Sequence, residues 1–101
     1  MRLQPKEISA IKQAVEAVIG SDAKVYLFGS RTDDTQLGGD IDLLVEVNRM
    51  ADSSTRLDHR IKLKTQLYQL IGEQKIDLVI NYTNTPETAF QKSIKKNALL
   101  L

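Results

Sequence analysis

The chain has no cysteine, no tryptophan, a single histidine, and only two prolines and five glycines in 101 residues. Without cysteine there is neither a disulfide framework nor a thiolate metal site. No apolar run approaches the ~18 residues of a membrane span, and no signal peptide opens the chain. The expected compartment is therefore the cytoplasm, with no membrane partner. An excess of charge of one sign is also missing: the net charge is +1. That argues against a protein that grips duplex DNA through its phosphates, and no directly bound nucleic acid is expected. Repeats, low-complexity tracts and linkers are absent too, so residues 1–101 read as a single small domain. A chain of this size buries only about two-thirds of its unfolded surface, which predicts modest stability.

What is present is the mixture of a soluble globular protein, 42% hydrophobic and 27% charged. Pro5 to Ile19 has the spacing of a helix, with Pro5 at its first position, Gly20 past its end, and Ile8, Ile11, Val15, Val18 and Ile19 on one stripe. Lys24 to Phe28 reads as a strand, and Asp40 to Val47 as a second. A long helix runs from about Ser54 to Ile71, capped from the Asp52–Thr55 region and closed by Gly72. Its predicted buried stripe is Leu57, Ile61, Leu67, Tyr68, Leu70 and Ile71. Arg56, Arg60, Lys62 and Lys64 make the same helix basic, either as a solvated face or as a docking surface for an acidic partner. Ile76 to Ile80 is a third strand, Asn81 to Thr85 a loop, and Thr85-Pro86 opens a final helix through Ala98. The expected architecture is a small α/β domain, with a mixed three-stranded sheet flanked by helices over one face.

The chemistry is concentrated in Leu27-Phe28-Gly29-Ser30-Arg31 and Gly39-Asp40-Ile41-Asp42-Leu43-Leu44-Val45. Residues two apart on a strand share a face, so Asp40 and Asp42 point the same way while Ile41, Leu43 and Val45 point the other. Two carboxylates at that spacing can share one hard divalent cation or bridge a pair. Asp42 lies among apolar neighbours, where a carboxylate is expensive to bury unless paired or metal-bound. Gly29 and Ser30 offer backbone N–H groups and a hydroxyl at the end of a strand, a phosphate cradle if a helix begins there; the bland alternative for Ser30 is an ordinary helix cap. Arg31 is either a phosphate or partner contact or a solvated charge. Asp77 faces the same way as Val79 on the third strand, and joins Asp40 and Asp42 if that strand lies beside the second. Glu46 reads as a solvated strand end. His59 reads as an exposed mid-helix residue, and Tyr82 as a base-stacking or core-covering ring. Lys92, Lys95 and Lys96 favour the dipole of the final helix. Leu99-Leu100-Leu101 either folds back onto the core or meets a partner.

Gly-Ser, a short spacer, Asp-x-Asp on a strand and a third acid on a later strand together resemble the signature of the DNA polymerase β-like nucleotidyltransferase superfamily. The small size resembles its minimal nucleotidyltransferase (MNT) branch, and the likeness covers nearly the whole chain. The resemblance implies a nucleotidyltransferase core in which Asp40, Asp42 and Asp77 hold two Mg²⁺ and carry catalysis. It implies that Gly29, Ser30 and Arg31 bind the phosphates of ATP. It further implies an antitoxin that transfers AMP to a tyrosine of a cognate HEPN ribonuclease toxin, within a hetero-oligomer. A non-catalytic antitoxin that acts by binding, and an adenylyltransferase for small molecules, are the other readings. The loop Arg31–Gly39 departs from the family pattern. Nine residues separate Ser30 from Asp40, one fewer than in many members, and Gly39 stands where many carry a Ser.

Overall fold

The computed structural model describes residues 3–29, 41–72 and 75–101. In chain order the elements are α1 (Pro5–Val18), β1 (Ala23–Phe28), β2 (Ile41–Val47), α2 (Ser53–Ile71), β3 (Ile76–Tyr82), α3 (Ala89–Lys95) and β4 (Leu99–Leu100). The strands form one mixed sheet in the order β3-β2-β1-β4. β1 runs antiparallel to both its neighbours, and β2 and β3 are parallel. The predicted three strands are all present. The fourth, β4, comes from the terminal leucines, which fold back so that Tyr26 and Leu27 of β1 face Leu100 and Leu99.

Each helix starts where its end groups find partners. Pro5 occupies the first turn of α1, and the Glu7 carboxylate accepts from the Gln4 backbone N–H at 3.0 Å. At the other end Arg49, from the turn after β2, donates to the Ile19 carbonyl and pairs with Asp22 at 3.4 Å. That arginine ties the end of α1 to the end of β2. Asp52 caps α2 by accepting from the Thr55 N–H at 2.7 Å, and this bond holds its carboxyl below its ordinary range.

Two corrections concern the helices. Leu57, Ile61, Tyr68 and Leu70 of the predicted buried stripe are exposed; the fully buried side chains of α2 are Leu63 and Leu67. Arg56 and Arg60 turn inward instead, donating to the carbonyls of Ala51 at 2.6 Å and Leu78 at 2.7 Å. A guanidinium can reach past a core edge and satisfy a backbone carbonyl there. The last helix does not begin at Thr85-Pro86. The Thr85 hydroxyl is taken up in the turn after β3, donating to the Asn81 side chain and the Tyr82 carbonyl. Thr88 caps α3 instead, with Gln91 completing the reciprocal pair.

Alternation along the strands gives the sheet two unlike faces. One face carries Val25, Leu27, Ile41, Leu43, Val45, Val47, Ile76 and Leu78, and forms a single core with Ile11, Ala14 and Val15 of α1 and Leu63 and Leu67 of α2. The register lines up three rows across the other face: Phe28–Asp42–Asp77, Tyr26–Leu44–Val79 and Lys24–Glu46–Asn81. The expectation of helices over one face is corrected for α3. Its Lys95 ammonium meets Glu46 at 3.0 Å and Glu87 at 2.7 Å, on this second face. Lys95 is held charged above its ordinary range by the bonds to Glu87 and then Glu46, so Glu46 is a fastening point and not a solvated strand end.

His59 differs from expectation, and Tyr82 takes the core-covering one of its two expected roles. Tyr82 ends β3 with 3% of its surface exposed, so its ring fills core and is not offered to a base. His59 Nδ1 lies 2.8 Å from the Tyr82 hydroxyl, with the rings stacked at 6.0 Å. Partial burial, then the Arg49 charge, holds the imidazole below its ordinary value. The folded state therefore favours neutral His59. As pH falls through about 6.5 the unfolded chain binds a proton first, and stability is lost until the folded imidazole also titrates. Urea midpoints should fall between pH 7.5 and 5.5, and the fall should be smaller in His59→Gln. An equal fall in both proteins would remove His59 from the account.

Candidate functional site

The first row of the second sheet face gathers the chemistry. Parallel pairing of β2 with β3 sets Asp42 opposite Asp77, and antiparallel pairing of β2 with β1 sets Phe28 on its other side. Adjacent strands lie about 4.8 Å apart, so the two carboxylates stand side by side on one face. Asp42 is half-buried and Asp77 is exposed. Two negative charges at about 5 Å repel by roughly 1–3 kcal/mol, the lower figure for a wet pair.

Gly29 follows β1 with φ +78°, a conformation that side chains rarely adopt. A Cβ placed there would lie 2.1 Å from Asp42 Oδ2 and 2.9 Å from its Cγ. The carboxylate thus rests against backbone that only glycine leaves open. The residue at the end of β1 and the acid near the start of β2 are one steric unit, although twelve positions separate them in the chain.

The donor set is all oxygen, which suits a hard cation such as Mg²⁺ over a thiophilic one. Asp42 and Asp77 fit that role by their shared register row, which puts two carboxylates side by side on one face. Among the described residues no group of three or more metal-ligating side chains comes together. The third expected ligand, Asp40, and the expected phosphate-binding residues Ser30 and Arg31 lie outside the described residues, as does the rest of the Arg31–Gly39 loop. Of the expected phosphate cradle, Gly29 alone is described.

Other titratable groups lie elsewhere. Glu46 is four residues along β2 from Asp42, about 13 Å away, and is bound to Lys95. A depression of about 410 Å³ at that far end is lined by Lys24, Tyr26, Glu46, Asn48, Asn81 and Thr83, among others. The fully buried Leu44 stands on the same face between it and the acid pair. The Glu46–Lys95–Glu87 cluster was not foreseen from sequence, because its members come from a strand, a loop and a helix with no shared motif.

The steric coupling predicts a non-additive pair of mutations. Gly29→Ala should destabilise the protein by about 1–3 kcal/mol, through the positive φ and the collision with the Asp42 carboxylate. In an Asp42→Ala background the two closest clashes vanish, leaving the backbone term and a tight 3.3 Å approach to Cβ of residue 42, so the cost should be smaller. Chemical denaturation of the four proteins checks this. Equal costs of Gly29→Ala in both backgrounds would mean that the carboxylate does not rest on that backbone.

The family model described as Polymerase beta, Nucleotidyltransferase matches residues 8–101. No curated protein matches the chain.

Proposed function

Because the chain belongs to the polymerase beta nucleotidyltransferase family, we propose that it is a Mg²⁺-dependent adenylyltransferase of the MNT type. Its donor is ATP, its acceptor a tyrosine hydroxyl on a cognate HEPN ribonuclease toxin, and its role that of a cytoplasmic antitoxin in complex with that toxin. The observation that carries the reading is the Asp42–Asp77 row with Gly29 backed against it, in a family whose chemistry needs clustered carboxylates.

Asp42 and Asp77, together with Asp40, would hold the metal. Bound Mg²⁺ supplies positive charge against the attacked phosphate and the departing pyrophosphate. The open side of Gly29 is taken by the Asp42 carboxylate, so a phosphate would be held by backbone N–H groups from Gly29 onward at the end of β1, with Ser30 and Arg31 extending that cradle. Asp77 would accept the proton of the acceptor hydroxyl as its oxygen bonds to the α-phosphorus and the bond to pyrophosphate breaks. The exposure of Asp77 on the outermost strand supports an acceptor as large as a protein.

Removal of the repulsion gives a readout independent of turnover. Mg²⁺ or Mn²⁺ should raise the melting temperature of the wild type. Asp42→Asn should raise that of the metal-free protein and abolish the metal effect. A relief of about 1 kcal/mol corresponds to roughly 4 °C or more for a domain this small. Melting curves indifferent to both changes would separate the carboxylates from any metal. With ATP and Mg²⁺ the wild type should add the mass of AMP to a toxin tyrosine. A triple Asp40→Asn, Asp42→Asn, Asp77→Asn variant should fold yet leave the toxin active. Full neutralisation by that variant at equal abundance, without a mass change, would establish docking alone as the mechanism.

A further inference from the structure

Leu57, Ile61 and Tyr68 of α2 are 59%, 57% and 38% exposed. With Lys64 they follow one another at spacings of four, three and four, which places them within about 60° on the helix surface. The buried Leu63 and Leu67 lie about 110° further round. α2 therefore has two apolar faces, and the described protein covers one. Single exposed leucines are ordinary; three large apolar side chains in line on a regular helix are the signature of a contact surface.

Two contacts fix where this second face points. Arg60 projects between the two faces and donates to the Leu78 carbonyl of β3. β3 is the outermost strand on its side of the sheet. The stripe thus runs along the β3 edge, on the side of α2 away from the groove where Ala17 and Val18 of α1 approach Lys62, Gln66 and Gln69. Because α2 leads into β3, the Tyr68 end of the stripe lies at the end of β3 that carries Asp77.

Charge selects among occupants. α2 carries Arg56, Arg60, Lys62 and Lys64 against Asp58 alone. Asp58 already pairs with Lys62 at 3.1 Å. A second copy would set two such positive helices against each other, whereas an acidic partner would be attracted. We infer that the stripe Leu57, Ile61, Lys64 and Tyr68 is the docking surface for the acceptor protein, which meets it with an apolar patch bordered by carboxylates and so brings its hydroxyl over the β3 edge to Asp77. This inference rests on the protein-acceptor reading above.

The test uses the whole chain and the purified toxin. Ile61→Glu alters an exposed position and Lys64→Glu a partly exposed one on the same face, and both should leave far-UV circular dichroism and the melting temperature unchanged. Lys12→Glu, an exposed charge reversal on α1, is the control. Calorimetric titration should show affinity reduced about tenfold or more by Ile61→Glu, reduced less and with altered salt dependence by Lys64→Glu, and unchanged by Lys12→Glu. In transfer assays the two α2 variants should raise KM for the toxin at unchanged kcat. Wild-type binding by both α2 variants, with transfer intact, would overturn the docking surface and leave the proposed function standing. A wild type that neither binds nor modifies the toxin would overturn the acceptor reading and this inference together. Sedimentation that shows self-association abolished by Ile61→Glu would assign the face to a second copy and likewise overturn it.

Discussion

The register of β2 against β3 is the constraint on which the candidate site depends. Side chains alternate along a strand, so a slip of one residue would exchange the faces of an entire strand. Here the exchange is forbidden by the core. Ile41, Leu43 and Val45 are fully buried, Val47 nearly so, and Ile76, Leu78 and Tyr82 stand beside them on β3. A one-residue shift of β3 would turn Asp77 and Asn81 toward α2 and expel Ile76 and Leu78. Each buried aliphatic is worth about 1.5–3 kcal/mol, and each unpaired polar group carried inward costs a similar amount. The acids do not hold themselves together, since they repel. They are held by the apolar residues on the reverse of the same strands, so the pairing of Asp42 with Asp77 is imposed on the sheet by its core.

Gly29 extends that logic to the third strand of the row. β1 is locked to β2 through Val25–Val45 and Leu27–Leu43, both pairs in the core. The lock brings the end of β1 alongside Asp42, and the close approach then demands a residue without Cβ. The order of causes runs from core to register, from register to proximity, and from proximity to the glycine.

The strands and their facing were legible because they combine short apolar runs with strict alternation, as in Ile76-Asp77-Leu78-Val79-Ile80. Asp42 stands beside Asp77 whenever two strands of like facing are neighbours in this register. The misread parts share a physical origin. In α2 the apolar residues occupy more than one face, and periodicity does not say which face the sheet covers. Leu57 and Ile61 carry the spacing of an inward stripe yet stand exposed, while Arg60 reaches through a long stem to a backbone carbonyl of β3. Thr85-Pro86 carries a helix-start signature, but its hydroxyl is spent on the turn that ends β3, and the weaker signal three residues on prevails. β4 has two residues, too few for any periodicity; it exists because β1 offers an open edge and because three leucines can reach it. The Glu46–Lys95–Glu87 fastening is a tertiary fact with no local trace.

Two of the places where the described chain forgoes the cheaper residue fall together. An apolar residue at position 77 would avoid the repulsion with Asp42, and polar residues at 57, 61 and 68 would avoid exposed hydrophobic surface. α2 has good caps and a firm anchor in Leu63 and Leu67, so its outer residues are not needed to hold it in place. β3 is likewise anchored by Ile76, Leu78 and Tyr82, not by Asp77. Departures from local consistency in an otherwise consistent fold tend to mark function. Both departures here lie along β3, one on each side of the same edge strand. Under the proposed function, the acid that would meet the substrate and the stripe that would meet the partner are neighbours for one reason: β3 is the edge where the sheet stops and another molecule can begin.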